Sequence, residues 1–223
     1  ELFFQTLLHV GNNTSFTFAG SENMQPDLIW NKNRDSSGYD HHIIDSVRGV
    51  SKLLRVSSNI AEFTSSDSIT AIGSDGFTVG ADSNGYVSSG TDKQVSWCWK
   101  AGGSSSSNSD GSVTSTVSVS TTAGFSIARF TGTGSNLTIG HGLGVKPDFI
   151  ILKCDSSGST DWTCYHSSLG ATKRIKLNAN EAASTNSTTW QDTEPTTSLI
   201  SVGTSGDVNV SSGTHIVYSF ANK

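Results

Sequence analysis

Sliding the chain along itself by 121 positions, the separation of Phe4 and Phe125, brings Gly11 onto Gly132, Thr17 onto Thr138 and Pro26-Asp27 onto Pro147-Asp148. The register persists through Ile29 and Ile150, Lys32 and Lys153, Ser46 and Ser167, Gly49 and Gly170, Lys52 and Lys173, and Asn59 and Asn180. At its end Val95-Ser96-Trp97-Cys98-Trp99 falls on Ile216-Val217-Tyr218-Ser219-Phe220, a match of type rather than identity. One offset held over so long a stretch implies two copies of one module. In a chain of 223 residues each copy has about 100, enough to bury a working core.

Period two sets the secondary structure within a copy. Phe16–Phe18, Leu28–Trp30, His42–Ile44, Leu53–Val56, Phe77–Val79 and Val95–Trp99 are short apolar or alternating runs, each closed by Gly, Asn, Asp or Ser. They read as strands. Gly11-Asn12-Asn13, Asp35–Gly38, Ser74-Asp75-Gly76 and Asp82–Gly85 supply the turns. The expected fold is all-β: two tandem antiparallel sandwiches of jelly-roll or lectin-like type, over 1–101 and 112–223. The Gly/Ser-rich stretch 102–111 reads as a flexible linker. Residues 112–122, SVTSTVSVSTT, alternate Val with Ser and Thr, which suits an extra edge strand of the second copy. Its counterpart for the first copy is expected before Glu1. Ile60–Ser68 and Glu181–Ser187 show no 3.6 period and are expected as loops or a single turn.

Composition excludes several classes. Charged residues are 15%, with 14 Lys and Arg against 19 Asp and Glu. The basic residues stand singly, so a nucleic-acid footprint is not expected. No run of about 20 apolar residues offers a membrane span. Glu1, without an initiator Met or a basic n-region, is the expected start of a trimmed piece of something longer. Cys98, Cys154 and Cys164 lack zinc spacing and read as buried thiols, with a Cys154–Cys164 disulfide across a hairpin loop as the alternative.

No strand–GxSxG–helix element is present to carry a hydrolytic serine. The glutamates Glu1, Glu22, Glu62, Glu181 and Glu194 sit in expected loops or at an end, and none is matched by a carboxylate in the other copy, so a paired acid and base is not expected. His41 and His42 are neighbours on a strand and point to opposite faces; His9, His141, His166 and His215 have no ligand spacing. No metal site and no cofactor follow. Asp75, Asp82 and Asp110 read as turn formers rather than calcium ligands. Trp97 and Trp99, matched by Tyr218 and Phe220, read as core. Tyr39, Tyr86, Trp162 and Trp190 lie in or near loops, have no aromatic counterpart, and are the candidates for stacking on a ligand. Gly49 and Gly170 mark a backbone conformation that side chains disfavour. Asp45 and Arg48 are lost from the second copy, which argues against chemistry shared by both.

Pro26–Arg34, Asp45–Gly49, Ser74–Gly80 and Trp97–Ala101, together with Thr131–Asn136, Gly140–Pro147 and Tyr165–Gly170, resemble a repeated β module of uncharacterised function in large virion structural proteins of tailed, often marine, bacteriophages. The resemblance covers essentially the whole chain; Asn31 departs from it, standing where such modules more often have an apolar residue. It implies a tail-fibre, spike or appendage protein on the virion exterior, partnered by other virion proteins, with a homotrimer as the family-level expectation. Adhesion to host-surface glycans is the expected function. The alternatives are a decoration or fibre protein that makes assembly contacts only, and a polysaccharide-degrading enzyme acting through Glu62, Glu181 or Glu194.

Overall fold

The computed structural model describes residues 2–88 and 90–222. Two compact units divide the chain: Glu1–Val56 with Glu62–Gly103, and Ser57–Ala61 with Ser104–Lys223. Both are built almost wholly of antiparallel strands, as the alternating patterns require.

The first unit contains β1 (Phe4–His9), β2 (Thr14–Phe16), β3 (Leu28–Asn33), β4 (His42–Asp45), β5 (Lys52–Arg55), β6 (Phe63–Thr64), β7 (Ile69–Gly73), β8 (Gly76–Val79) and β9 (Gln94–Trp99). One sheet runs β1-β9-β3-β4-β5-β6 and the other β2-β8-β7. The core lies between them, where Ile29, Ile44, Leu53 and Cys98 meet Ile69, Phe77 and Val79. Because Cys98 faces inward, strand alternation turns Trp97 and Trp99 to the opposite side, where both are half-buried. The core placement expected for these two indoles is therefore corrected; the thiol between them takes it.

The second unit contains β10 (Ser106–Asn108), β11 (Ser115–Ser120), β12 (Phe125–Thr131), β13 (Leu137–Gly140), β14 (Phe149–Cys154), β15 (Thr163–His166), β16 (Lys173–Lys176), β17 (Ser184–Thr185), α1 (Ser187–Trp190), β18 (Leu199–Val202) and β19 (Thr214–Phe220). Its sheets run β10-β11-β12-β19-β14-β15-β16-β17 and β13-β18. Ala128, Phe130, Ile150, Leu152 and Val217 pack against Leu137, Ile139, Ile200 and Val202. The linker expectation is corrected here: Ser106–Asn108 pairs with Ser115–Val117, so its hydroxyl-rich residues satisfy their backbone in a sheet.

The ranges of β14 to β17 are those of β3 to β6 advanced by 121, and the order β12-β19-β14-β15-β16-β17 follows β1-β9-β3-β4-β5-β6. The units part company at β7, whose place in the second is taken by α1, capped by the Asn186 side chain. They differ again outside β12, where β11 and β10 extend the sheet; β1 ends its own. Gly49 and Gly170 both have positive φ, +102° and +75°. That is the conformation expected of them.

Lys32 and Lys153 repeat one task. Each donates from Nζ to a carbonyl of the following loop, Lys32 to Tyr39 at 2.7 Å and Lys153 to Thr160 at 2.8 Å. All three cysteines are free and buried, so the Cys154–Cys164 bridge is not made.

Candidate functional site

The four loop aromatics divide two and two between the units, and the second pair is not a surface at all. Trp162 and Trp190 are 0% and 1% exposed. Trp190 falls 121 positions after Ile69, itself a core residue of the first unit, and stacks edge-on against Tyr165 at 6.2 Å. Neither indole presents a face to a ligand, so both are corrected from binding residues to core.

Tyr39 and Tyr86 are half-buried. The loop bearing Tyr86 is moulded around Asp82, whose carboxylate accepts from the backbone N–H of Tyr86, Val87 and Ser88 at 3.2, 2.8 and 2.5 Å and from Ser68 Oγ at 2.5 Å. Asp82 is thus a turn former, as expected of it, whereas the Asp75 carboxylate accepts from the distant Met24 N–H at 3.1 Å, a tie between segments rather than a bond within its own turn. The Tyr86 ring meets Phe63 at 5.0 Å and His42 at 5.3 Å, with the Arg55 guanidinium 5.8 Å from its centre. A cation so placed is drawn to the ring face. The aromatic surface of Tyr86 is spent largely on this cluster.

The glutamates weighed as acid or base are engaged separately. Glu62 accepts from Arg48 Nη1 at 3.1 Å, while Arg48 Nε bonds Asp45 at 2.6 Å with both side chains fully buried. Glu194 accepts from the Tyr165 hydroxyl at 2.5 Å, Lys146 Nζ at 2.8 Å and the Ala171 N–H at 2.7 Å. Burial opposes ionisation of Glu194, but these bonds together outweigh it and hold the carboxyl below its ordinary range. A carboxylate kept ionised is no general acid. Glu181 pairs with Lys176 at 3.6 Å, and Glu1 lies outside the described residues. Among the described residues no three His, Cys, Asp or Glu side chains gather to hold a metal ion, and no helix is long and apolar enough to cross a membrane.

Two features escaped the sequence reading. The first is a polar row on the core face of the first sheet. His9 Nε2 lies 3.0 Å from Ser96 Oγ, and Asn31 Nδ2 donates to the same hydroxyl at 3.0 Å. Gln94 pairs with His9 and Asn33 on the flanking strands. Among the described residues, His9 Nδ1, Asn31 Oδ1 and both amide atoms of Gln94 have no hydrogen-bond partner, which costs about 1–3 kcal/mol for each buried group. Advanced by 121, His9, Asn31 and Ser96 become Phe130, Leu152 and Val217, three core residues of the second unit. That exchange is the signal by which the row can be found from sequence.

The second is the edge strand β1. Among the described residues only six large apolar side chains are exposed, and four of them, Leu2 (40%), Phe4 (37%), Leu8 (62%) and Val10 (50%), lie on or beside β1 on one face. Along its core side runs a groove of about 330 Å³ lined by Gln5, Thr6, Leu7 and Thr17–Gly20. Among the described residues β1 is last in its sheet, and it carries neither Lys nor Pro. Of all the surfaces described, this one is the candidate site.

No curated protein and no solved structure matches the chain. A family model does match, over residues 2–223, so that both units fall within one family domain. The chain belongs to the family described as a domain of unknown function, DUF7483.

Proposed function

We propose that the chain is a non-catalytic structural module of a tailed-phage virion appendage, built by duplication of one β sandwich and working through assembly contacts with other virion proteins. The observation that carries this reading is the concentration of exposed apolar side chains, Leu2, Phe4, Leu8 and Val10, on and beside β1. Supporting it, the candidate acid and base carboxylates are each occupied by a cation or a hydroxyl, and two of the four candidate stacking aromatics are core. The virion setting comes from the sequence resemblance.

Adhesion to host glycans is the second reading, and Tyr39 and Tyr86, the half-exposed pair, are what favours it. Immunogold labelling of intact particles and a glycan array separate the two. Labelling on a tail or appendage with a blank array is expected. Array binding lost in Tyr39→Ala or Tyr86→Ala would replace assembly by adhesion, and sugar release from envelope material lost in Glu62→Gln or Glu194→Gln would overturn both.

A further inference from the structure

His42 is shut into the first unit with no bond to its ring. It lies on β4, 1% exposed, and among the described residues neither ring nitrogen has a hydrogen-bond partner. Phe63 covers it at 6.0 Å between ring centres and Tyr86 at 5.3 Å, and these two rings meet each other at 5.0 Å. Arg55, its cross-strand partner on β5, sets its guanidinium 5.2 Å from the centre of Phe63 and 5.8 Å from that of Tyr86. A ring so enclosed stays neutral, because a proton on it would add a second cation opposite Arg55 with no water to solvate it.

The second unit shows that this enclosure is no requirement of the scaffold. The ion pair of Asp40 with Arg55, 3.4 Å, returns 121 positions on as Asp161 with Lys176, 2.8 Å. His42 and Phe63 become Thr163 and Ser184, and Tyr86 becomes Asp207, which Arg174 holds at 2.7 Å. Val87 and Val208, the next positions, are core in both units, so the offset still holds there. One unit ties the loop before its last strand with an ion pair. The other closes it with an aromatic lid over a titratable ring.

We infer that Tyr86 is an acid-released lid: when His42 takes up a proton the Tyr86 ring swings out, water reaches the imidazolium, and the faces of Tyr86 and Phe63 become an exposed apolar surface. The inference goes beyond the assembly reading and does not depend on it. Tyr86 is the part that gives, because its neighbours are fixed: Phe63 is paired with Leu53 in the sheet, Arg55 is held by Asp40, and Val87 is fully buried. The groups around His42 set the direction. Burial first, then the Arg55 charge and a smaller one from His41, pull the ring down to about 4 against Asp40 and the Tyr86 backbone, while β3 and β6 present the uncharged Asn31 and Phe63. Once the lid is open the solvated ring returns toward its ordinary value near 6.5. Opening is therefore suppressed above about pH 6.5 and is favoured roughly 100-fold more by about pH 4.

Hydroxyl-radical footprinting of the full chain, read by peptide mass mapping, reports side-chain access at either pH. From pH 7 to about pH 4.5 the modification of Tyr86 and Phe63 should rise severalfold, while Trp190, in the core of the second unit, keeps its rate. His42→Phe fills the cage with an uncharged ring and should remove the rise; His42→Thr, the residue of the second unit, does the same should the first variant fail to fold. Asp82 anchors the same loop and is the competing source of an acid response, so a rise that persists in the His42 variants would overturn the inference. So would a Tyr86 rate unchanged by acid. Tyr86 and Trp190 rising together would overturn it too, as unfolding of the molecule rather than opening of a lid.

Discussion

Three histidines set how the fold answers to acid. Burial pulls the imidazoles of His9, His42 and His215 down to about 4, the Arg55 charge adding to the effect at His42. Between that value and the ordinary one near 6.5, the unfolded chain binds protons that the folded chain refuses. Stability is therefore complete above about pH 6.5 and falls as pH drops toward about 4. Urea midpoints measured at pH 7 and about pH 4.5 should show the loss, and His9→Phe should make the difference smaller. A midpoint unchanged by acid would mean that these rings are solvated. The sequence shows where the histidines stand but not their burial, because His9 lies in a strand whose other inward residues, Gln5 and Leu7, do not announce which face is covered.

At the scale of elements, β3 shows both what the sequence makes legible and what it hides. Its existence and its start follow from the apolar run Leu28–Trp30, but the strand continues through the polar Asn31 and Lys32 to Asn33. That Asn31 faces the core beside Ser96 and His9 follows only once the sheet register is known. The 121-residue offset places Leu152 at the same point, so the polar character of the row was available as a difference between two strands and not as a motif. Ser96→Val alone leaves His9 and Asn31 without their common partner and should cost about 1–3 kcal/mol in urea unfolding. His9→Phe, Asn31→Leu and Ser96→Val together, the set present in the second unit, should cost clearly less than the sum of the three single changes. Strict additivity would show that the row is not a network. The burial of Trp190 is hidden for a related reason: α1 is a single turn too short to show a 3.6 period, although the offset sets Trp190 at the position of Ile69.

Across the whole molecule, the units share a scaffold and differ at the edge and in the core. Loops were the expected place for such differences, because loops usually vary while frames are kept. The difference that matters most lies instead on strands: a polar row in one unit against an apolar one in the other. Strand number at a sheet edge is not written in any periodicity, which is why SVTSTVSVSTT was readable as a strand while the exposed state of β1 required the fold.

Lys153 carries one consequence further. Its ammonium is held inside the second unit by Thr160 Oγ1 at 2.6 Å and two carbonyls, and burial lowers its proton affinity to about 8, against the pull of nearby acidic groups. Near that pH about half of these groups are free amines, nucleophilic yet out of reach of an acylating reagent. Such a lysine is a clock for the hairpin that follows it. Under brief acetylation at about pH 8, exposed Lys93 should react at once and Lys153 only as fast as its loop opens, a delay that peptide mass mapping would read directly.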